Sequence, residues 1–386
     1  MNFNLLKNKE INKYKLNFIL TIFVIALKYY LFLVFKTNLD TNVPRLLNLA
    51  VNGIYALSLL GLVFNLKTDL KDKVLIGIGL IIAALSKNEN LLIFFMLGVY
   101  AKNNKIKVRE IILYYTIINL ILFMSIFLLN LIDVIPDGLD IHFRNGVARK
   151  DFGFGNPNVP FLCLVSIIAG YIYLRFKKYS IIDRVVIICV LAYVYFNTYS
   201  RTGLLALAIT LIMIEIIKLI KIDTIKNNKI VNVLTSHIFT IVFSGSVFVA
   251  LFLNQYKFNK ILSSRPEYWN FYIKRLGFFG TNSASGASYP IDNTYIYLIS
   301  VFGVVSGLFI IYVAFVANRN IINEGNKNLY CVVVMFTIYG FGENVILNKA
   351  LSPLLIILTM YFLDDFAKIV NSTFTKVRSR INERKS

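Results

Sequence analysis

Phe18-Ile19-Leu20-Thr21-Ile22-Phe23-Val24-Ile25 decides the fold class. The stretch is apolar without alternation, whereas a strand of a membrane barrel alternates apolar and polar residues at every second position. It belongs to a run over 17–36, long enough for a bilayer core about 30 Å thick. No water is available there to free N–H and C=O groups, so the run must be helical. Similar runs fill the chain of 386 residues, 57% of which are hydrophobic; soluble domains average about 45–50%. These features predict an all-α polytopic membrane protein with residues 1–386 as one integral membrane domain.

Twelve spans are predicted, at 17–36, 45–64, 73–86, 90–101, 111–132, 158–175, 183–199, 202–221, 232–254, 294–318, 329–346 and 350–367. Lysine and arginine mark the cytoplasmic loops. With a cytoplasmic N-terminus, the cytoplasmic segments hold 27 of the 41 Lys and Arg residues. Both termini are then cytoplasmic, and the span count is even. The two long loops, 133–157 and 255–293, fall on the outer face. The first run follows a Lys/Asn-rich start and lacks a small-residue cleavage site, so it is expected to act as an uncleaved signal.

The net charge of +21 does not indicate nucleic-acid binding, because the basic residues punctuate the apolar runs and form no single patch. Cys163, Cys189 and Cys331 lie inside apolar runs, show no metal or disulfide spacing, and are expected to be buried, inert thiols. No internal repeat and no central cytoplasmic linker divides the chain into halves, which weakens a transporter reading.

Candidate chemistry lies in the outer loops. In His142-Phe143-Arg144-Asn145-Gly146-Val147-Ala148-Arg149-Lys150, Arg144 and Arg149 suit an anionic headgroup or diphosphate; the plainer reading is a solvated loop. His142 has no second metal ligand nearby, and His237 reads as structural. Ser200-Arg201-Thr202-Gly203 joins two spans with almost no loop. That holds Arg201 at the apolar boundary, where a charge needs a partner or a role, unless it snorkels to phospholipid headgroups.

Ser264-Arg265-Pro266-Glu267 has capping-box spacing. Trp269, Tyr272, Ile273 and Leu276 follow at helical spacing, which predicts a short amphipathic helix on the membrane surface. Glu267 then reads as a cap, and Trp269 as an interfacial anchor or a sugar-stacking platform. Gly280 to Ser288 is small, polar and expected to be mobile. Asp292-Asn293 stands at the mouth of the next span: Asp292 is a candidate proton acceptor, and either residue is a candidate N-cap. Glu343, near the outer end of the eleventh span, is functional by default or pairs with Lys349. Lys28 is mid-span, either a buried partner to a carboxylate or a sign of a misplaced span edge.

These motifs resemble the O-antigen and capsular polysaccharide polymerases (Wzy-type), and more distantly the O-antigen ligases. The resemblance covers the order of spans and the two outer loops, with sharp motifs over about sixty residues. Arg144 to Gly155 fits the Arg-x10-Gly pattern of these polymerases, and Arg265 to Gly277 misses it by one residue. Ser200-Arg201 is similar to the family's Ser-Arg turn, and Ser264-Arg265 with Trp269 to a second such turn. Asp292-Asn293-Thr294-Tyr295, followed by Gly303 and Gly307, is similar to the ligases' His-Asn-x-Tyr run, with Asp292 where the ligases carry histidine.

The resemblance implies a GT-C-like helical glycosyltransferase that needs no metal or cofactor. Its substrates would be polyprenyl-diphosphate-linked oligosaccharides in the lipid bilayer, its partners a chain-length regulator and a flippase, and its place a bacterial cytoplasmic membrane. Asp292 and Glu343 would be catalytic. Arg201, Arg265, Arg144, Arg149, Trp269, Asn293 and Tyr295 would bind substrate and diphosphate. A ligase and a lipid-linked-oligosaccharide flippase are the rival functions.

Overall fold

The computed structural model describes residues 3–35, 42–137, 142–144, 147–280 and 290–367, with backbone alone at 3–12, 42–45, 142–144, 147 and 261. The chain is an all-α membrane protein. Every predicted span overlaps helix. In chain order these are α1 (Phe3–Phe35), α2 (Asn42–Phe64), α3 (Leu70–Ser86), α4 (Asn90–Asn103) and α5 (Val108–Leu131). A two-stranded antiparallel hairpin follows, β1 (His142–Arg144) and β2 (Val147–Arg149). Then come α6 (Val159–Arg175), α7 (Ile181–Thr198), α8 (Arg201–Leu219), α9 (Ile222–Asn227), α10 (Lys229–Ser236), α11 (Ile238–Phe252), α12 (Tyr256–Ile261), α13 (Arg265–Ile273), α14 (Thr294–Val301), α15 (Val304–Asn323) and α16 (Lys327–Gly342). A last helix, α17, covers 354–367.

Among the described residues, seven helices are long and apolar enough to cross a membrane, or eight if α10 and α11, bent by 63° at His237, form one span. The predicted segments α3, α4 and α16 have 17, 14 and 16 residues. At 1.5 Å per residue they run only about 21–25 Å. The predicted tenth span is also broken. α14 is a separate buried helix, and α15 begins after Gly303, whose φ is +88°. A Cβ on Gly303 would sit 2.1 Å from the Gly280 nitrogen. The N–H groups freed at the break, Val304 and Val305, donate to the carbonyls of Gly277 and Phe278 at 3.0 and 3.1 Å. Irregular backbone is tolerated at such depth only when protein satisfies it in this way.

Burial sorts the helices. α16 is buried along nearly all its length, and so is α17 to Leu363, as expected of central helices that are apolar all round. α2 and α7 lie at the periphery and leave Leu46, Leu49, Leu57, Ile181, Ile182 and Ile188 more than half exposed. Apolar faces this wide match lipid and would be a liability in water. Cys163 and Cys331 are buried as expected, but Cys189 is exposed on α7, because the apolar run that carries it faces outward.

Polar contacts divide into two ends. Lys15–Glu110, Lys71–Asp69, Lys102–Asp364, Arg175–Asp183 and Arg184–Glu215 lie at the predicted cytoplasmic ends of the segments. Arg265–Asp292, Arg265–Glu343 and Lys349–Glu89 lie at the predicted outer ends. None of these pairs joins the two sets.

Candidate functional site

The site begins with a backbone turn. Ser263 and Ser264 both adopt left-handed φ, 55° and 61°, and aim α13 back into the protein. Ser264 makes no side-chain cap, so the capping box is not formed, and Glu267 is exposed. α13 is also not a surface helix. Trp269, Asn270 and Tyr272 are buried, and the Asn270 amide donates to the Ala250 carbonyl at 2.8 Å. Trp269 is 2% exposed, with its ring edge-on to Phe341 at 5.5 Å. It is neither an interfacial anchor nor a platform open to a sugar. Packing against the end of α16 gains more apolar burial than a site at the bilayer surface.

Asn293 fixes the second strand of the site. Its Oδ1 accepts from the Tyr295 and Ile296 N–H groups at 2.8 and 3.0 Å, capping α14. Its Nδ2 donates to Ser246 Oγ at 2.9 Å and to the Phe341 carbonyl at 2.8 Å. Thr294 Oγ1 donates to the Glu343 carbonyl at 3.1 Å, and the buried Tyr295 hydroxyl donates to the Thr337 carbonyl at 2.7 Å. Asn293 and Tyr295, expected to bind substrate, are therefore engaged in fixing the start of α14 to the end of α16. That connection brings Asp292 to Glu343.

Arg265 lies between these two carboxylates. Its Nε and Nη2 donate to Asp292 Oδ2 at 3.2 and 3.0 Å, and Nη2 also donates to Glu343 Oε1 at 3.0 Å. The Arg265 side chain is 11% exposed, that of Glu343 10% and that of Asp292 29%. Burial opposes the guanidinium charge, but the two carboxylates hold its pKa above the usual arginine value. Glu343 is the C-cap residue of α16. One guanidinium thus serves two acids, and Asp292 is the one a ligand can reach.

The second arginine stands on the turn between α7 and α8. Tyr199, at φ 49°, ends α7, and Ser200 precedes α8. Arg149 Nε donates to the Thr198 carbonyl at 2.6 Å, and its Nη2 donates to Asn158 Oδ1 at 3.0 Å. Ser200 Oγ donates to the same Asn158 oxygen at 3.0 Å. Arg149 therefore braces the turn. Arg201 is exposed, and its side chain makes no ion pair or hydrogen bond with any other described residue. A Cβ on Gly342 would lie 2.9 Å from Thr202 Cγ2. The residues following Arg201 and preceding Glu343 are thus in contact. The side chain of Arg144 and the linker 281–289 lie outside the described residues.

The expected Glu343–Lys349 pair does not form. Lys349 instead donates to Glu89 at 3.0 Å and to the Tyr55 hydroxyl at 2.8 Å. Ser246, Asn158, Glu89 and Tyr55 were not singled out from the sequence. The first two are small polar residues, each with a partner more than 40 residues away. Glu89 was detectable as a carboxylate in a very short outer loop. Among the described residues no group of three or more His, Cys, Asp and Glu could hold a metal. No protein-family model, curated protein or solved structure matches the chain.

Proposed function

We propose that the chain is a membrane polysaccharide polymerase. It transfers a growing glycan from polyprenyl diphosphate to a sugar hydroxyl of a lipid-linked repeat unit on the outer face of a bacterial cytoplasmic membrane. The observation that carries this reading is Arg265, held by Asp292 and Glu343 from other segments of the chain, together with the unpaired Arg201 on a braced turn whose next residue, Thr202, meets Gly342. The twelve helical segments are read as twelve crossings of a GT-C-like bundle with cytoplasmic termini. The segregation of ion pairs into two ends supports this count. The shorter spans suit segments such as 343–353, whose non-helical residues Val345, Ile346 and Leu351 are buried in protein.

The acceptor oxygen bonds to the anomeric carbon as the bond from that carbon to the diphosphate oxygen breaks. The lipid diphosphate leaves with the electron pair. Arg201 and Arg265 offset the charge that develops on it. The acceptor proton passes to Asp292, the more accessible carboxylate. Glu343 positions Arg265, and a diphosphate that takes up Arg265 frees Asp292 to act as base. Attack from the face opposite the leaving group inverts the anomeric centre.

In cells that make the polymer, Arg201→Ala and Arg265→Ala each abolish long glycan while single lipid-linked repeats accumulate in the outer leaflet. Full polymerisation by both variants at normal expression refutes the assignment. On deletion, repeats stranded in the cytoplasmic leaflet would identify a flippase, and free long polymer a ligase.

A further inference from the structure

A cavity of about 570 Å³ lies outside the Arg265 centre, between the outer halves of α1 and α2. Its size is that of a small-molecule site. Two helix faces build its walls. On α1, Ile25, Lys28 and Phe32 recur at helical spacing, and on α2, Leu47, Val51 and Tyr55 do so. Phe32 is 60% exposed and Leu47 37%, so the cavity opens sideways, toward lipid.

The inner end of the cavity is cationic. Lys28 lies two helical turns, about 10 Å, inside the end of α1. It pairs with no carboxylate among the described residues, and its ammonium rests 4.2 Å from the centroid of the Tyr55 ring. The Lys349 ammonium lies 5.1 Å from the same centroid. The two cations thus stand around one aromatic ring, and among the described residues Glu89 is the one carboxylate paired with either. A charge at that depth calls for a partner, and Glu89 leaves one positive charge unmatched. Asn344 also lines the cavity, and its buried Oδ1 has no hydrogen-bond partner. It can accept from a ligand hydroxyl.

We propose that this cavity is a second binding site, for a phosphate-bearing lipid, with the phosphate between Lys28 and Lys349 and the chain leaving between α1 and α2. The inference does not use the glycosyl-transfer reading. Asn344 places the site one residue from Glu343, so a lipid held there would lie beside the Arg265 centre.

The test reads binding alone, by native mass spectrometry of the delipidated full chain. The probes are geranylgeranyl phosphate, phosphatidylglycerol, geranylgeraniol and inorganic phosphate. At least one phosphate-bearing lipid binds, while the alcohol and inorganic phosphate bind at least tenfold more weakly. Whichever lipid binds more tightly identifies the source of the phosphate. Lys28→Met and Lys349→Met each weaken binding at least tenfold, and so does Leu47→Trp, which narrows the mouth without changing charge. Lys260→Met, at an exposed lysine elsewhere on the outer face, leaves binding unchanged. Melting temperatures within about 2 °C of the parent show that the variants fold. Equal binding by the parent and Lys28→Met, or equal binding of alcohol and phosphate, overturns the proposal. Neither result bears on polymerisation, which the arginine variants test separately.

Discussion

Glu343→Gln isolates the electrostatics of the site. Arg265 Nη2 donates to Glu343 Oε1 at 3.0 Å, and the two side chains are 11% and 10% exposed. A buried hydrogen bond to a charged partner contributes about 1.5–3 kcal/mol, against about 0.5–1.5 kcal/mol for a neutral pair. Glutamine keeps the shape and one acceptor for Arg265 but removes the charge, so it destabilises the protein by about 1–2 kcal/mol. Glu343→Leu removes the acceptor as well and destabilises it by about 2–4 kcal/mol, while Arg265 keeps its two bonds to Asp292. Denaturation of the purified protein measures both. Trp269 is the sole tryptophan and packs on Phe341, two residues before Glu343. Its emission follows unfolding at the site itself. A Glu343→Leu variant as stable as the parent would show that Glu343 does not hold Arg265 and would refute the argument.

Two further outcomes follow from the scaffold. Asn293→Ala removes the α14 cap and the partners of Ser246 and the Phe341 carbonyl; it should destabilise by about 2–4 kcal/mol, measured by denaturation of the purified protein, and a loss below about 1 kcal/mol would contradict the described bonding. Gly303→Ala places a methyl group against the Gly280 backbone at an unfavourable φ; it should reduce folded yield severely, as read by size-exclusion profile, whereas normal yield would mean that the α14–α15 break is not needed.

The fold class was legible because the bilayer imposes a single rule on backbone hydrogen bonds, and runs such as 17–36 obey it visibly. Element positions followed from the same rule. The break at Gly303 did not, because the apolar run continues through it; what breaks the helix is a loop returning from Gly277 and Phe278. The site was legible as an inventory and not as a set of roles. Asp292 and Glu343 stood out as charges at the edges of apolar runs, and Arg265 as a charge within the long polar loop 255–293. Their convergence depends on Asn293, Ser246 and Phe341, which carry no charge and of which only Asn293 falls in a motif. Trp269 was misplaced for a related reason. An aromatic residue in a polar loop has the same pattern whether it faces lipid headgroups or fills a gap beneath the loop, and only the left-handed pair Ser263 and Ser264 directs it inward. Lys28 shows how far the sequence argument reaches. A mid-span cation is conspicuous in the sequence, but Tyr55 and Lys349, which define its environment, lie one helix and more than three hundred residues away. Charge therefore marks where function can lie in a membrane chain, and the uncharged residues that bind the backbone ends together decide which charges meet.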